Sequence, residues 1–388
     1  MTDLATPVAP ARPGIPRRAA PALLGYAAVR VLGLLALAVW SAARGKDAHT
    51  LLTARWDALW YSRVAGLGYG YEVRLPNGDV HSNLAFFPLL PWLERLLAAV
   101  TPLTYADAGF AVALLASLAA AWGIFAVAEH VYGRRVGVCA VLLWAVLPVG
   151  IVQSMAYSES LFTALAAWSL YAVLTGRWVT AGTLALLAGL TRPVGLAVVA
   201  AVWAAGLTSI RRNRSAAPAE RAWRPARALG MALAPLGAAG YVLWVGHRTG
   251  RGPLGYLDVQ AGWRNGFDGG YAFARFTAEK FTSLASAPAG LGLVVGVGLV
   301  IWLFVLGVRG RQPLPLLVYA GVVTALALCA SSYFGSKPRL LLPAFPLLLP
   351  PALALARLRT PRAALVVAGA AVVSAVYGAF WLNGSGPP

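Results

Sequence analysis

The chain has 388 residues, of which 59% are hydrophobic and 12% charged, and its mean hydropathy is +0.70. So few charges cannot cover a soluble multidomain protein of this size, which excludes water as the solvent for most of its surface. The 32 Lys and Arg against 13 Asp and Glu give a net charge of +19, a balance that suits nucleic acid in amount but not in placement.

Residues 1–18, MTDLATPVAPARPGIPRR, read as a disordered, basic, Pro-rich cytoplasmic tail. No cleavable signal peptide is evident, because the first apolar run has the length of a full span. Residues 19–382 read as a single all-α polytopic membrane domain of about 11 transmembrane helices, near 22–42, 108–128, 136–152, 158–174, 178–191, 194–209, 229–246, 288–307, 313–331, 340–356 and 363–381. Continuous Leu, Ala and Val runs select helices over barrel strands, whose side chains would alternate with period 2. With the N-terminus in the cytoplasm, the arginines at 17–18, 134–135, 177, 211–227, 309–311 and 357–362 all fall inside, and of the acids only Asp3, Glu129 and Glu220 join them. This is the positive-inside pattern. The basicity is therefore chiefly topological, with anionic lipid contact secondary and no nucleic acid partner.

Two long connections, 43–107 and 247–287, then lie on the extracytoplasmic side, where function is expected. Within the first, NLAFFPLLPWLERLLAAVTPL (83–103) is apolar enough to span but carries Pro88, Pro91, Glu94 and Arg95 in its middle, so it is read as a helix lying at the outer interface. The 32 residues of 178–209 form a hairpin whose arms of ~15 residues rise only ~22 Å, short of the ~30 Å hydrocarbon core. Arg192, in LAGLTRPVGLAV, lies near its tip. A charge at that depth is a functional candidate by default, the alternative being a side chain that snorkels to the headgroups. Cys139 and Cys329 both sit in apolar runs and read as small buried hydrophobes.

The chain lacks a Gly-rich nucleotide fingerprint, a Walker sequence, Cys or His at zinc spacing, and an Asp-x-Asp pair, which argues against a soluble nucleotide donor. The candidates are isolated side chains on the outer side. In TARWDALWYSRVAGLGYG, a helix over 54–65 would put Asp57 and Tyr61 on one face and Trp56 and Trp60 on a neighbouring one. Interfacial tryptophans would hold Asp57 near headgroup depth, where a carboxylate can take a proton from an attacking alcohol; otherwise Asp57 is a surface acid beside Arg55. His81 either binds a substrate hydroxyl or phosphate, or marks a helix cap formed by Ser82 and Asn83. Glu159, in SMAYSESLF, complements a helix N-terminus at an outer span end. Asp258, Gln260, Trp263 and Asp268 in LDVQAGWRNGFDGG suit sugar faces and hydroxyls, or loop packing. Lys337 and Arg339 are positive charges on the outer side, against the topological bias, and point to an anionic ligand.

RWDALWYSRVAGLGY, HSNLAFFPLLPWL, AYSESLF, LTRPVG and SKPRLLLPAFPLL, in that order, resemble the PIG-V type of mannosyltransferase, specifically its bacterial relatives, over about residues 25–355. The resemblance implies a GT-C enzyme that moves mannose, with inversion, from a polyprenyl-phosphate-mannose lipid to an acceptor hydroxyl on the extracytoplasmic side of the cell membrane. It implies Asp57 as catalytic base, with Arg192, Lys337 and Arg339 on the donor phosphate and His81 positioning the acceptor. The lipid-phosphate sugar enters as substrate, with a divalent cation the one candidate cofactor and no protein metal site expected. The acceptor is an unidentified glycolipid, glycan or protein, because nothing here matches the anchor-recognising periphery of eukaryotic members. Two rivals are a GT-C transferase of another sugar or to a protein, and a lipid-linked sugar flippase; the lack of internal repeats and the one-sided loops weigh against the second.

Overall fold

The computed structural model describes residues 15–215, 225–331, 333–384 and 386. In chain order the helices are α1 (Ile15–Ala43), α2 (Ala48–Thr53), α3 (Asp57–Leu67), α4 (Leu89–Val100), α5 (Tyr105–Tyr132), α6 (Arg134–Ala145), α7 (Ser158–Leu174), α8 (Trp178–Gly189), α9 (Leu196–Ser215), α10 (Pro225–Leu233), α11 (Leu236–Thr249), α12 (Gly255–Gly262), α13 (Tyr271–Glu279), α14 (Ala287–Arg309), α15 (Leu314–Cys329), α16 (Lys337–Leu340), α17 (Leu349–Arg357) and α18 (Thr360–Leu382). Residues 1–14 of the expected tail lie outside the described residues, but Ile15–Arg18 already belong to α1, and Arg18 meets Glu129 of α5 at 2.8 Å. The first helix therefore begins four residues inside the stretch expected to be tail.

Among the described residues, six helical runs are long and apolar enough to cross a membrane: 17–43, 105–132, 193–212, 225–249, 287–309 and 360–382. A pair bent by 73°, 334–340 with 345–357, makes a seventh. The expected eleven are not all matched by full-length helices: α7, α8 and α15 have 17, 12 and 16 residues and rise only ~18–26 Å, 136–152 is broken after Ala145, and 340–356 is bent between α16 and α17. Short helices are tolerated because longer neighbours enclose them. Most of α7 is buried, and small residues let the elements approach closely. At the α8–α10 crossing, for instance, Gly182 and Gly230 meet so tightly that a Cβ on Gly182 would fall 2.2 Å from the Gly230 carbonyl oxygen.

The break after α6 decides where the site lies. A helix end leaves carbonyls without partners, and at membrane depth only protein can satisfy them. Arg30, from the middle of α1, donates to the carbonyls of Ala145 and Gly150, while Gln153 Nε2 donates to Trp144 O at 2.8 Å. The freed chain makes a 3₁₀ turn, Gly150–Ser154, and then starts α7 with Ser158 and Glu159 in its first turn.

The two long connections pack on each other rather than lying apart. The first holds α2, α3, α4 and a two-stranded antiparallel hairpin, β1 (Glu72–Arg74) and β2 (Val80–Ser82), with Val73 opposite His81. The all-α reading overlooks this hairpin, although its Asn77-Gly78 turn is a hairpin signal and Gly78 takes φ 88°. Tyr241 of α11 donates to the carbonyls of Leu84 and Phe86 at 2.9 and 2.8 Å, and Trp263 after α12 donates to Ser82 O at 3.0 Å. Stretch 83–103 resolves into a 3₁₀ turn and the 12-residue α4, too short to cross; its Arg95 donates to Ala65 O near the C-terminus of α3.

At the opposite end of the bundle, Arg18 pairs with Glu129, Arg134 Nε donates to Arg18 O at 3.3 Å, Arg135 reaches Leu358 O, and His130 of α5 meets the ring of Tyr171 of α7. Basic helix ends thus gather away from Asp57.

Candidate active site

Asp57 opens α3, so the helix expected over 54–65 begins three residues late. The cause is Trp56, whose backbone turns at φ 51°, ψ −123°, a conformation an L-residue seldom adopts. The Arg55 guanidinium lies 3.9 Å from the Trp56 ring centroid and covers it. Trp56 therefore does not share a helical face with Trp60. Asp57 and Tyr61 keep their i, i+4 relation, and the N-terminus of α3 favours the carboxylate placed on it.

Four charges then form a chain across three helices and the hairpin tip. Asp57 Oδ2 lies 2.9 Å from Arg339 Nη1 of α16, Arg339 Nε lies 3.3 Å from Glu159 Oε1 at the start of α7, and the same oxygen lies 2.5 Å from Arg192 Nη1 at the hairpin tip. Glu159 is 1% exposed and Arg339 9%, whereas Asp57 keeps 28% of its side chain open. Arg192 does not snorkel. The tip is held at this level by Leu89 N, which donates to Leu190 O at 3.0 Å, and by Thr191, whose hydroxyl donates to Ala188 O at 2.6 Å.

Two carboxylates and two guanidiniums sum to zero, which is the condition for holding them away from water. Each guanidinium carries five N–H donors, more than these carboxylates engage, and its planar fork matches a phosphate. Tyr157 supports the chain from below, its ring centroid 5.0 Å from the Arg339 guanidinium. Tyr61 and Ser158 share a hydroxyl hydrogen bond of 2.7 Å, which ties α3 to α7, and burial pushes the Tyr61 phenol up. Asp57 is the most exposed of the four.

Lys337 departs from expectation. Its ammonium donates to Ala327 O and Ala330 O at 2.8 and 2.6 Å, closing the end of α15, and lies 5.0 Å from the Phe273 ring centroid. Residues two apart on a helix point to different sides, so the expected Lys337/Arg339 pair divides between two partners.

His81 and Trp263 join the site through aromatic contacts. The His81 ring stacks on Trp263 at 4.0 Å, and Trp263 meets Trp60, three residues from Asp57, edge-on at 4.9 Å. Burial pulls the His81 imidazole below its ordinary range, against the opposing pull of Asp79, which favours the neutral ring for stacking. Ser82 caps the 3₁₀ turn by accepting from Leu84 N at 3.4 Å, and Asn83 bridges Gly68 O and Gly70 N. The Gln260 amide is filled by Tyr256 and by Asn265. Asp268 accepts from Gly270 N and Ala272 N and so starts α13. Among the described residues, no three His, Cys, Asp or Glu side chains converge as a metal cluster would require.

Tyr157, Ser158 and Arg30 are the residues sequence reasoning misses. The first two stand beside Glu159 in AYSES, and Arg30 interrupts an apolar run as plainly as Arg192 does.

No protein-family model matches the sequence, and no curated protein matches it. Among solved structures the chain is similar to ArnT from Cupriavidus metallidurans bound to undecaprenyl phosphate, at 15% identity and a TM-score of 0.51, covering 87% of this chain and 61% of that one. The apo state of the same protein gives 16% identity and a TM-score of 0.50 over the same shares. The archaeal oligosaccharyltransferase AglB from Archaeoglobus fulgidus, in complex with an inhibitory peptide and a dolichol-phosphate, gives 13% identity and a TM-score of 0.47, covering 94% of this chain and 56% of that one. This chain spans about three fifths of the length of ArnT. The likeness to ArnT is one of fold: a polytopic, multi-pass membrane protein of GT-C architecture.

Proposed function

We propose that the chain is a glycosyltransferase that moves mannose from a polyprenyl-phosphate-mannose donor to an acceptor hydroxyl, with inversion, on the extracytoplasmic side of the cell membrane. The observation that carries this reading is the chain of contacts Asp57–Arg339–Glu159–Arg192, a partly open carboxylate beside guanidiniums at one end of an apolar bundle. The GT-C fold and the PIG-V resemblance support the donor class, and the arginine-rich opposite end supports a cytoplasmic N-terminus.

The acceptor oxygen attacks the anomeric carbon opposite the phosphate. The bond from that carbon to the phosphate oxygen breaks, its electron pair leaves with polyprenyl phosphate, and the acceptor proton passes to Asp57. Arg339 and Arg192 meet the charge that grows on the leaving phosphate, with Glu159 fixing both guanidiniums in advance. A donor phosphate competes with Asp57 for Arg339, so donor binding frees the base next to the reacting carbon. Trp60, Trp263 and His81 supply an aromatic wall for a sugar face. Lys337 has no part in phosphate binding.

The test uses membranes carrying the full chain and labelled polyprenyl-phosphate mannose. Wild-type protein forms a labelled glycoside, and Asp57→Asn protein of equal thermal stability does not. Full turnover by that variant would remove the base. Label that crosses proteoliposomes without a new glycosidic bond would instead assign the fold to transport.

A further inference from the structure

We propose that a second anion site lies at the other end of the bundle and takes a phosphate-bearing ligand. A cavity of about 500 Å³ opens there, lined by Arg212, Arg227, Thr208, Ser209, Trp178 and Leu314. Its distance from Asp57 follows from α7: Glu159 stands in the first turn of that helix, Leu174 ends it and lines the cavity, and the rise between them is ~22 Å.

The charge arithmetic separates this cavity from the site around Asp57. Arg18, Arg192 and Arg339 are each paired with a carboxylate. Arg227 is 6% exposed, and its partner is the neutral Ser209 hydroxyl at 2.9 Å. Among the described residues neither Arg227 nor Arg212 meets an Asp or Glu. A buried guanidinium whose partner among the described residues is a hydroxyl has no described carboxylate to balance it, and an incoming anion would supply that charge.

The helix ends add to that field. Trp178 is the first residue of α8 and Leu314 the first of α15, so two helix N-termini border the space, while α7 ends at Leu174 and brings a C-terminus to it. The first turn of α8 offers N–H groups without intrahelical partners, whereas in α15 Pro315 has none and Leu316 N already donates to Pro313 O. The hydroxyls of Thr208 and Ser209 can donate to the same oxygens. The volume exceeds that of inorganic phosphate, and Val173, Leu174 and Leu314 make the remaining wall apolar, which fits a phosphate ester with an apolar extension. Two sources share that chemistry: the headgroup of an anionic lipid and a soluble phosphate ester.

The experiment uses the purified full chain in mixed micelles. Phosphatidylglycerol in a phosphatidylcholine background is one probe and inorganic pyrophosphate the other, with bound ligand read by native mass spectrometry and by the shift in thermal midpoint. Retention of phosphatidylglycerol over phosphatidylcholine supports a lipid headgroup, and a shift with pyrophosphate alone supports a soluble ligand. Arg212→Gln and Arg227→Gln each weaken binding about tenfold, the size of one lost charge-assisted hydrogen bond. The exposed Arg357→Gln, with the same loss of charge, leaves it unchanged. Should Arg227→Gln fail to fold, Arg212→Gln alone decides. Equal binding in wild type and both cavity variants, or an equal loss in Arg357→Gln, would overturn the proposal.

Discussion

Arg30 and Lys337 are as deeply buried as Arg339, at 7% and 3% exposure against 8%, yet they meet different partners. Arg30 and Lys337 are bound by backbone carbonyls at broken helix ends, whereas Arg192 and Arg339 are bound by the carboxylates of Glu159 and Asp57. A carbonyl carries only a partial charge and cannot leave its helix, so the first pair is fixed and structural. A carboxylate carries a full charge, and one of them, Asp57, is partly open to exchange partners. Charge at membrane depth is therefore functional by default only until its partner is known.

Four substitutions sharpen or break that division. Asp57→Asn carries the largest expected effect, a fall in turnover of about 10²–10⁴ at unchanged thermal midpoint, measured with the labelled donor lipid. Arg30→Met comes next and inverts the pattern: stability falls by about 2–3 kcal/mol through loss of two charge-assisted bonds to carbonyls, while turnover per folded molecule holds. A loss of turnover without a loss of stability in Arg30→Met would erase the distinction. In Arg339→Lys the charge stays and the fork goes, so the donor KM rises about tenfold at constant stability.

The smallest effect belongs to Glu94, a buried carboxyl of α4 held well above its usual range by burial, with Oε2 lacking a partner. Its folded-state pKa is raised, so the folded form binds a proton that the unfolded form has released once pH exceeds about 4.5. Stability from this group is fully present below that pH and declines as pH rises toward the folded value. Glu94→Gln therefore raises the thermal midpoint in detergent at pH 7, and the gain vanishes toward pH 4.

Much of the site is legible because charge is scarce in this chain. Asp57, Glu159, Arg192 and Arg339 stand out from apolar runs, and the cost of burying each alone implies that they meet. Three features stay hidden for separate reasons. The turn at Trp56 lacks a glycine or proline to announce it, since its φ of 51° falls on a residue type that avoids that region. The separation of Lys337 from Arg339 stays hidden because nothing in KPRL announces the short helix α16, on which alone their two-residue spacing sends them to different sides. The meeting of His81 with Trp263 brings together residues 182 positions apart in sequence, which periodicity cannot supply.

One further consequence concerns α8, pinned against α10 where Gly182 and Gly230 touch. That contact forbids sliding, so the 12 residues from Trp178 to Gly189 act as a ruler that sets the altitude of Arg192. Lengthening the ruler by one residue beyond the pin would lift the guanidinium ~1.5 Å and swing it ~100° about the helix axis, out of reach of Glu159 with no change in composition.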